Sequence, residues 1–211
     1  MPEISKIEEL PDRIYNNYND ATFFITGGTG FLGKVIIERL LRMFDVKRIY
    51  VLIRTKKDKS TDVRLTEVFA NPLFDSVRQL KGDQIFDKCT VVSGDITKDN
   101  LDISKEDREI LKKEIEYVIH GAATVRFDEV LKRALLINTK GVFSMIQLAK
   151  EMENLKLFCH ISTSFCHPDQ KVLREEFYRS KYHVEKLISL PDLLEDDAID
   201  ALSKSLMEGV P

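Results

Sequence analysis

Seven consecutive residues, Gly27-Gly28-Thr29-Gly30-Phe31-Leu32-Gly33, have the types and spacing that phosphate chemistry needs. They follow a short apolar run, Thr22 to Thr26, rich in β-branched and aromatic residues, as suits a buried parallel strand. They open a stripe in which Leu32, Ile36, Leu40 and Phe44 recur four apart with Val35, Ile37 and Leu41 beside them, the pattern of a helix. A glycine turn between strand and helix lets backbone N–H groups reach a pyrophosphate, and the helix N-terminus favours its charge. Nine glycines in 211 residues can produce G-x-G-x-x-G by accident, so the weight lies on the flanking strand and helix. The competing reading is a tight turn that packs well and binds nothing.

Arg54 is the second cue. It ends another buried-type strand, Arg48 to Arg54, and begins a basic run through Lys56, Lys57 and Lys59. Dinucleotide sites that take NAD place an Asp or Glu about 20 residues beyond the glycines to bind the ribose 2′-hydroxyl, whereas an Arg accommodates a 2′-phosphate. No acid follows Arg54 until Asp58. A guanidinium holds a phosphate through two charge-assisted hydrogen bonds and a carboxylate repels it, so NADPH is expected over NADH. The same basic run also reads as a solvated loop. Lys34 and Arg39 read as the solvated face of the first helix. Cys159-His160 and Cys166-His167 imitate a zinc set, but neighbours on a strand face opposite sides, so no metal is expected.

These residues need a scaffold that brings strand ends together. The elements are those of an alternating fold. After the first two strands, residues 61 to 80 have a helical pattern, and Lys88 to Ile96 is a third strand ending in Gly94-Asp95-Ile96. Ser104 with Asp107 resembles a capping box for a helix through Glu114, and Glu116 to Ala123 is a fourth strand ending in small residues. A long helical pattern runs from Glu129 to Met152, and Lys156 to Thr163 is a fifth strand. Five strands alternating with helices predict an α/β fold, a Rossmann-type doubly wound parallel sheet of order 3-2-1-4-5. Ligands of such sheets bind beyond the carboxyl ends of the strands, where Arg54, Asp95, Ala122 and Thr163 fall.

Residues 1–21 read as a polar lead-in, with Ile14 and Tyr15 docking before the first strand; 22–166 form the sheet domain, and 167–211 a charged partial substrate-side segment. An apolar share of 43%, a charged share of 32% and a formal charge of -3 describe an ordinary globular protein with no field for nucleic acid. No apolar run approaches the ~20 residues of a membrane span. The N-terminus, MPEISKIEELPDR, has no apolar core, so neither a signal nor a transit peptide is expected. Three cysteines without framework spacing fit a reducing, intracellular compartment.

Together the motifs TGGTGFLGKVIIERLLR, LIR, VVSGDIT, HGAATVRFDE, INTKG and HISTSFC resemble the N-terminal reductase domain of insect-type fatty acyl-CoA reductases. That family lies in the extended short-chain dehydrogenase/reductase superfamily, whose fingerprint Gly27, Gly30 and Gly33 preceded by Thr26 also resemble. The resemblance runs from about Ile14 onward, and the tail LEDDAIDALSKSLMEGVP is similar to the family's segment before its catalytic tyrosine. It implies NADPH-dependent reduction of a long-chain acyl-CoA through the aldehyde to the alcohol, at the cytosolic face of peroxisomal or ER membranes. Residue by residue, it puts Thr26, Gly27, Gly28, Thr29, Gly30, Phe31, Leu32 and Gly33 on the pyrophosphate and Arg54 on the 2′-phosphate. Asp95 and Ile96 would touch the adenine, and Gly121, Ala122 and Ala123 would line its ribose side. Asn138 would support the active-site backbone. Ser162 to Ser164 would bring a hydroxyl to the cofactor, with Thr163 favoured as the catalytic Ser/Thr and Ser164 next.

The catalytic Y-x-x-x-K of the resemblance is expected beyond Pro211, which makes this chain a truncated or short form. Tyr182 and Lys186 match that spacing but fall in a charged stretch that the resemblance assigns to a variable loop, and they read as a decoy. Two other readings stay open: a non-catalytic NADPH-binding module, and another extended reductase or epimerase on NAD(P).

Overall fold

The computed structural model describes residues 12–201 except 57, 127, 168, 169, 180–182, 196 and 200. Its centre is a five-stranded, all-parallel sheet of order β3-β2-β1-β4-β5. The strands are β1 (Thr22–Thr26), β2 (Arg48–Ile53), β3 (Cys89–Ser93), β4 (Tyr117–His120) and β5 (Leu157–His160). β1 pairs with β2 on one side and β4 on the other, with Thr26 opposite Leu52 and His120. The strand order reverses between β1 and β4, the place where such sheets open a crevice for ligands.

Every residue of β1 is buried because helices cover both faces of the sheet. Phe23 and Ile25 point into a core with Ile37 and Leu41 of α2 (Phe31–Met43), Leu65 of α3 (Thr61–Phe69) and Val77 of α4 (Asp75–Lys81). Phe24 points the other way, into a core with Leu111 of α5 (Lys105–Glu114) and Met145 and Leu148 of α7 (Gly141–Lys150). Alternate side chains of one strand thus fill two cores. β5 differs: Leu157, Cys159 and His160 are exposed, although the run LFCH reads from sequence as buried.

Several boundaries depart from the sequence expectations. Residues 61–80 are not one helix, because Pro72 lacks the N–H that a continuing helix needs and opens a 3-10 turn capped by the Asn71 side chain. β3 stops at Ser93, since the Asp95 amide turns away from the sheet to the Leu101 carbonyl at 2.7 Å. The helix from residue 131 is continuous but changes hand-hold: α6 (Leu131–Leu135) passes into a π-helical turn, Leu136–Lys140, before α7. Ser104 caps α5 as expected, accepting from the Asp107 amide at 3.0 Å.

At the opposite end of the sheet from the strand tips, the short helix α1 (Arg13–Tyr18) is held by Tyr18. Its ring meets Phe23, Phe44 and Tyr117 edge-on at 5.1–5.5 Å, while Ile14 is 65% exposed, so Tyr18 docks the lead-in and Ile14 does not. The last helix, α8 (Val184–Leu193), is tied by Asp192 to Lys140 of the π turn at 2.9 Å. No helix among the described residues is long and apolar enough to cross a membrane.

Phe24 is fully buried between β1 and the α5/α7 layer. Phe24→Ala is expected to cost about 3–5 kcal/mol of unfolding free energy, read from urea denaturation.

Candidate functional site

Gly27 leaves β1 with φ +75°, a conformation that disfavours any side chain. A Cβ there would sit 2.7 Å from the carbonyl of Gly121 and 2.8 Å from the amide of Ala122, both at the end of β4. A Cβ on Gly28 would strike Val51 at 2.5 Å, and one on Gly33 would strike the Gly27 carbonyl oxygen at 2.2 Å. These three glycines are therefore needed by the fold itself. Gly30 is different, since its Cβ would meet only the Gly27 oxygen, at 3.2 Å. Gly30 is also the N-cap of α2, which has no side-chain cap and no acidic residue in its first turn. The first amides of α2 lack helical acceptors, so the turn presents N–H groups and the positive end of a helix dipole.

In front of this turn lies a cleft of about 480 Å³. Gly27, Thr29, Gly30, Arg54, Asp95, Ile96, Gly121, Ala122 and Ala123, all singled out from the sequence, line it together. Arg54 is half-exposed and its Nε stands 3.9 Å from Asp95. Asp95 is turned into its own loop, where one carboxylate oxygen accepts from the Thr97 amide at 2.9 Å and the Thr97 hydroxyl at 2.8 Å. Arg64 of α3 donates to the Arg54 carbonyl and lines the same cleft. A neighbouring hollow of about 570 Å³ shares Thr29 and Arg64 and adds Lys34, Lys56 and Lys59. Lys59 is paired with Glu67.

The cleft thus sits at the strand-order reversal with a polyanion-sized, cationic end. Residues 25–211 match the NAD-binding family model described as "Male sterility protein". The chain belongs to this family. It is 40% identical over 206 residues to the Drosophila melanogaster protein named fatty acyl-CoA reductase wat, a match covering 97% of this chain and 39% of that one. It is 33% identical over 195 residues to fatty acyl-CoA reductase 1 of Homo sapiens, covering 92% and 38%. The chain therefore spans about two fifths of the length of these curated relatives. Among solved structures, the reductase domain of a Mycobacterium tuberculosis nonribosomal peptide synthetase matches with a TM-score of 0.56 at 28% identity, over 70% of this chain and 34% of that one. A reductase domain of the fatty acyl-CoA reductase type, with a nicotinamide dinucleotide as the family's cofactor, agrees with the motifs and with the sheet order.

In this male-sterility-type domain some singled-out residues lie off the cleft. Thr26, Gly28 and Gly33 are buried behind its wall, and the side chains of Phe31 and Leu32 are 84% and 47% exposed. Asn138, on the π turn, braces the wall from outside. Its Oδ1 accepts from the Thr124 amide at 2.9 Å and its Nδ2 donates to the Thr124 carbonyl at 3.0 Å. π turns of this kind recur at functional sites. Ser162 and Thr163 are exposed beyond β5 and do not line the cleft; the Thr163 hydroxyl caps a 3-10 turn by accepting from the Phe165 amide at 3.2 Å. Tyr182 lies outside the described residues, and Lys186 is on α8.

Sequence reasoning passed over Arg64, Thr124, Arg126 and Arg133, which also line the cleft, and His120 behind it. His120 is fully buried, with Nδ1 2.7 Å from the Thr26 hydroxyl oxygen. Burial, with His160 stacked at 5.4 Å, pushes its pKa down to about 4. The unfolded chain, near 6.5, takes the proton first. The stability that neutral His120 contributes is therefore complete above pH 6.5 and lost as pH falls toward 4. Urea midpoints between pH 7.5 and 4 are expected to fall more steeply for the native sequence than for His120→Phe; parallel curves would contradict the assignment.

The glycines separate in the same way. Gly33→Ala forces backbone movement and is expected to lose about 1–3 kcal/mol or more, whereas Gly30→Ala stays within about 1 kcal/mol, both read from thermal unfolding.

Proposed function

We propose that this chain binds NADPH and forms the cofactor-holding part of a reductase that converts long-chain fatty acyl-CoA through the aldehyde to the alcohol. The observation that carries it is the uncapped start of α2 behind a turn whose open position is Gly30, facing a cleft with Arg54 and Arg64 at one end. The acyl-CoA substrate comes from the names of the relatives.

The residues fit such a cofactor. The amides of Gly30 to Gly33 would hold the pyrophosphate, and the side-chain-free surface of Gly27 and Gly30 lets its oxygens approach. Arg54 and Arg64 would hold the 2′-phosphate, with Asp95 bound to Thr97 through Oδ1 and facing Arg54 at 3.9 Å through Oδ2. Ala122 and Ala123 leave room for a ribose. When bound, the cofactor supplies hydride to a carbonyl carbon. The carbonyl oxygen then gains negative charge, and donors must be aimed at it. Thr163, the donor expected from the sequence, stands outside the cleft, where its hydroxyl oxygen accepts from the Phe165 amide.

The exposed position of Thr163 and Ser162, away from the cleft, favours a narrower second reading for this chain by itself, NADPH binding without turnover. A product assay with long-chain acyl-CoA and NADPH separates the two, since alcohol formation rules out the narrower one. For the cofactor, fluorescence titration is expected to show NADPH bound more tightly than NADH. Arg54→Ala should weaken NADPH by about 10- to 100-fold, the worth of a charge-assisted hydrogen bond, and leave NADH nearly unchanged. Equal losses for both would overturn the 2′-phosphate assignment.

A further inference from the structure

Thr26 holds two successive amides at the end of β4 by different atoms. Its backbone carbonyl accepts from Gly121 at 3.2 Å, and its side-chain hydroxyl accepts from Ala122 at 3.1 Å. The first bond is part of the parallel ladder and needs no particular side chain. The second depends on where the Thr26 hydroxyl points. A hydroxyl has one hydrogen and two lone pairs, and the atom within reach of that hydrogen is Nδ1 of His120, directly across the sheet at 2.7 Å.

We propose that His120 is a positioning residue for the cofactor cleft, accepting the Thr26 hydroxyl hydrogen at Nδ1 so that the oxygen's lone pair faces the Ala122 amide. This rests on the cofactor reading above only in what the cleft is for. Ala122 lines the cleft, and its amide lies where a Cβ on Gly27 would come within 2.8 Å, so the bond fixes the spacing between the cleft wall and the pyrophosphate turn. The proton of the neutral imidazole is then on Nε2. Among the described residues Nε2 has no hydrogen-bond partner, although His120 is fully buried. The opposite tautomer strands two groups, the Nε2 lone pair and the Thr26 hydrogen, whereas this one strands only the Nε2 hydrogen. An unpaired buried donor is unfavourable, and a phenyl ring in the same place would avoid it. The phenyl ring would in turn leave the buried Thr26 hydrogen without its acceptor, so each ring strands one group, and what the imidazole adds is the direction that its Nδ1 gives the Thr26 hydroxyl.

Amide hydrogen exchange on the unliganded chain tests the relay without any cofactor. His120→Phe is expected to speed exchange at Ala122 about 10-fold, the worth of one hydrogen bond, while Gly121, held by the Thr26 carbonyl, changes little. His120→Asn, whose amide reaches the place of Nδ1 and has nothing at Nε2, should restore protection at Ala122. The NADPH dissociation constant should rise about 10-fold in His120→Phe and recover in His120→Asn. Unchanged exchange at Ala122, or equal loosening of both amides, would overturn the proposal. If His120→Phe does not fold, Thr26→Val removes the same hydroxyl and must release Ala122 but not Gly121. Failure of the native chain to bind NADPH would sink the cofactor reading alone, because the exchange pattern still decides the relay.

Discussion

The crossing between the turn after β1 and the end of β4 is the constraint to which the rest of the molecule answers. Two parallel strands separate there, and the backbone of Gly27 passes so near Gly121 and Ala122 that no side chain fits between them. That contact requires β1 to be buried on both faces, since only helices packed above and below hold neighbouring strands in one register. It also requires α2 to begin at once, with Gly33 against Gly27, so the amides of its first turn face the opening. The uncapped start of α2 faces the cleft as a by-product of how tightly this corner is closed.

Charge is distributed around that corner with the same economy. Arg54 at the end of β2 and Arg64 on α3 stand on one side of the cleft, Arg126 and Arg133 on another, and each acid nearby is engaged. Asp95 is occupied by Thr97, Glu129 accepts from the Thr124 hydroxyl at 3.0 Å, and Asp128 pairs with Arg126 at 3.0 Å. The cleft is thus rimmed by arginines, Arg54 facing Asp95 at 3.9 Å and Arg133 facing Glu129 at 3.5 Å, while Arg64 is turned onto the Arg54 carbonyl.

Most of this was readable wherever neighbours in sequence are neighbours in space. The glycine turn, the sheet order and Arg54 follow from local pattern and strand ends. Arg64 was not readable, because a surface arginine on a helix carries no signal until the chain folds it onto the Arg54 carbonyl. His120 was missed for a similar reason, its partner Thr26 being 94 positions away. The π turn left no mark, since one added residue barely disturbs a helical stripe. Strand ends were overrun at Gly94, where Ile96 still looked like strand, and at Gly121, where small apolar residues continue the pattern after the chain has left the sheet. At β5 the run LFCH is apolar whether or not anything covers it, and here much of it is uncovered.

That last feature leaves an apolar side chain along the outer strand of the described sheet. Among the described residues β5 is the outer strand, with β4 paired on one side and no strand on the other. Open edges are templates for strand addition, and Leu157 offers an apolar side chain beside this one. A strand added there would cover Leu157 and lengthen the sheet on the side away from Arg54.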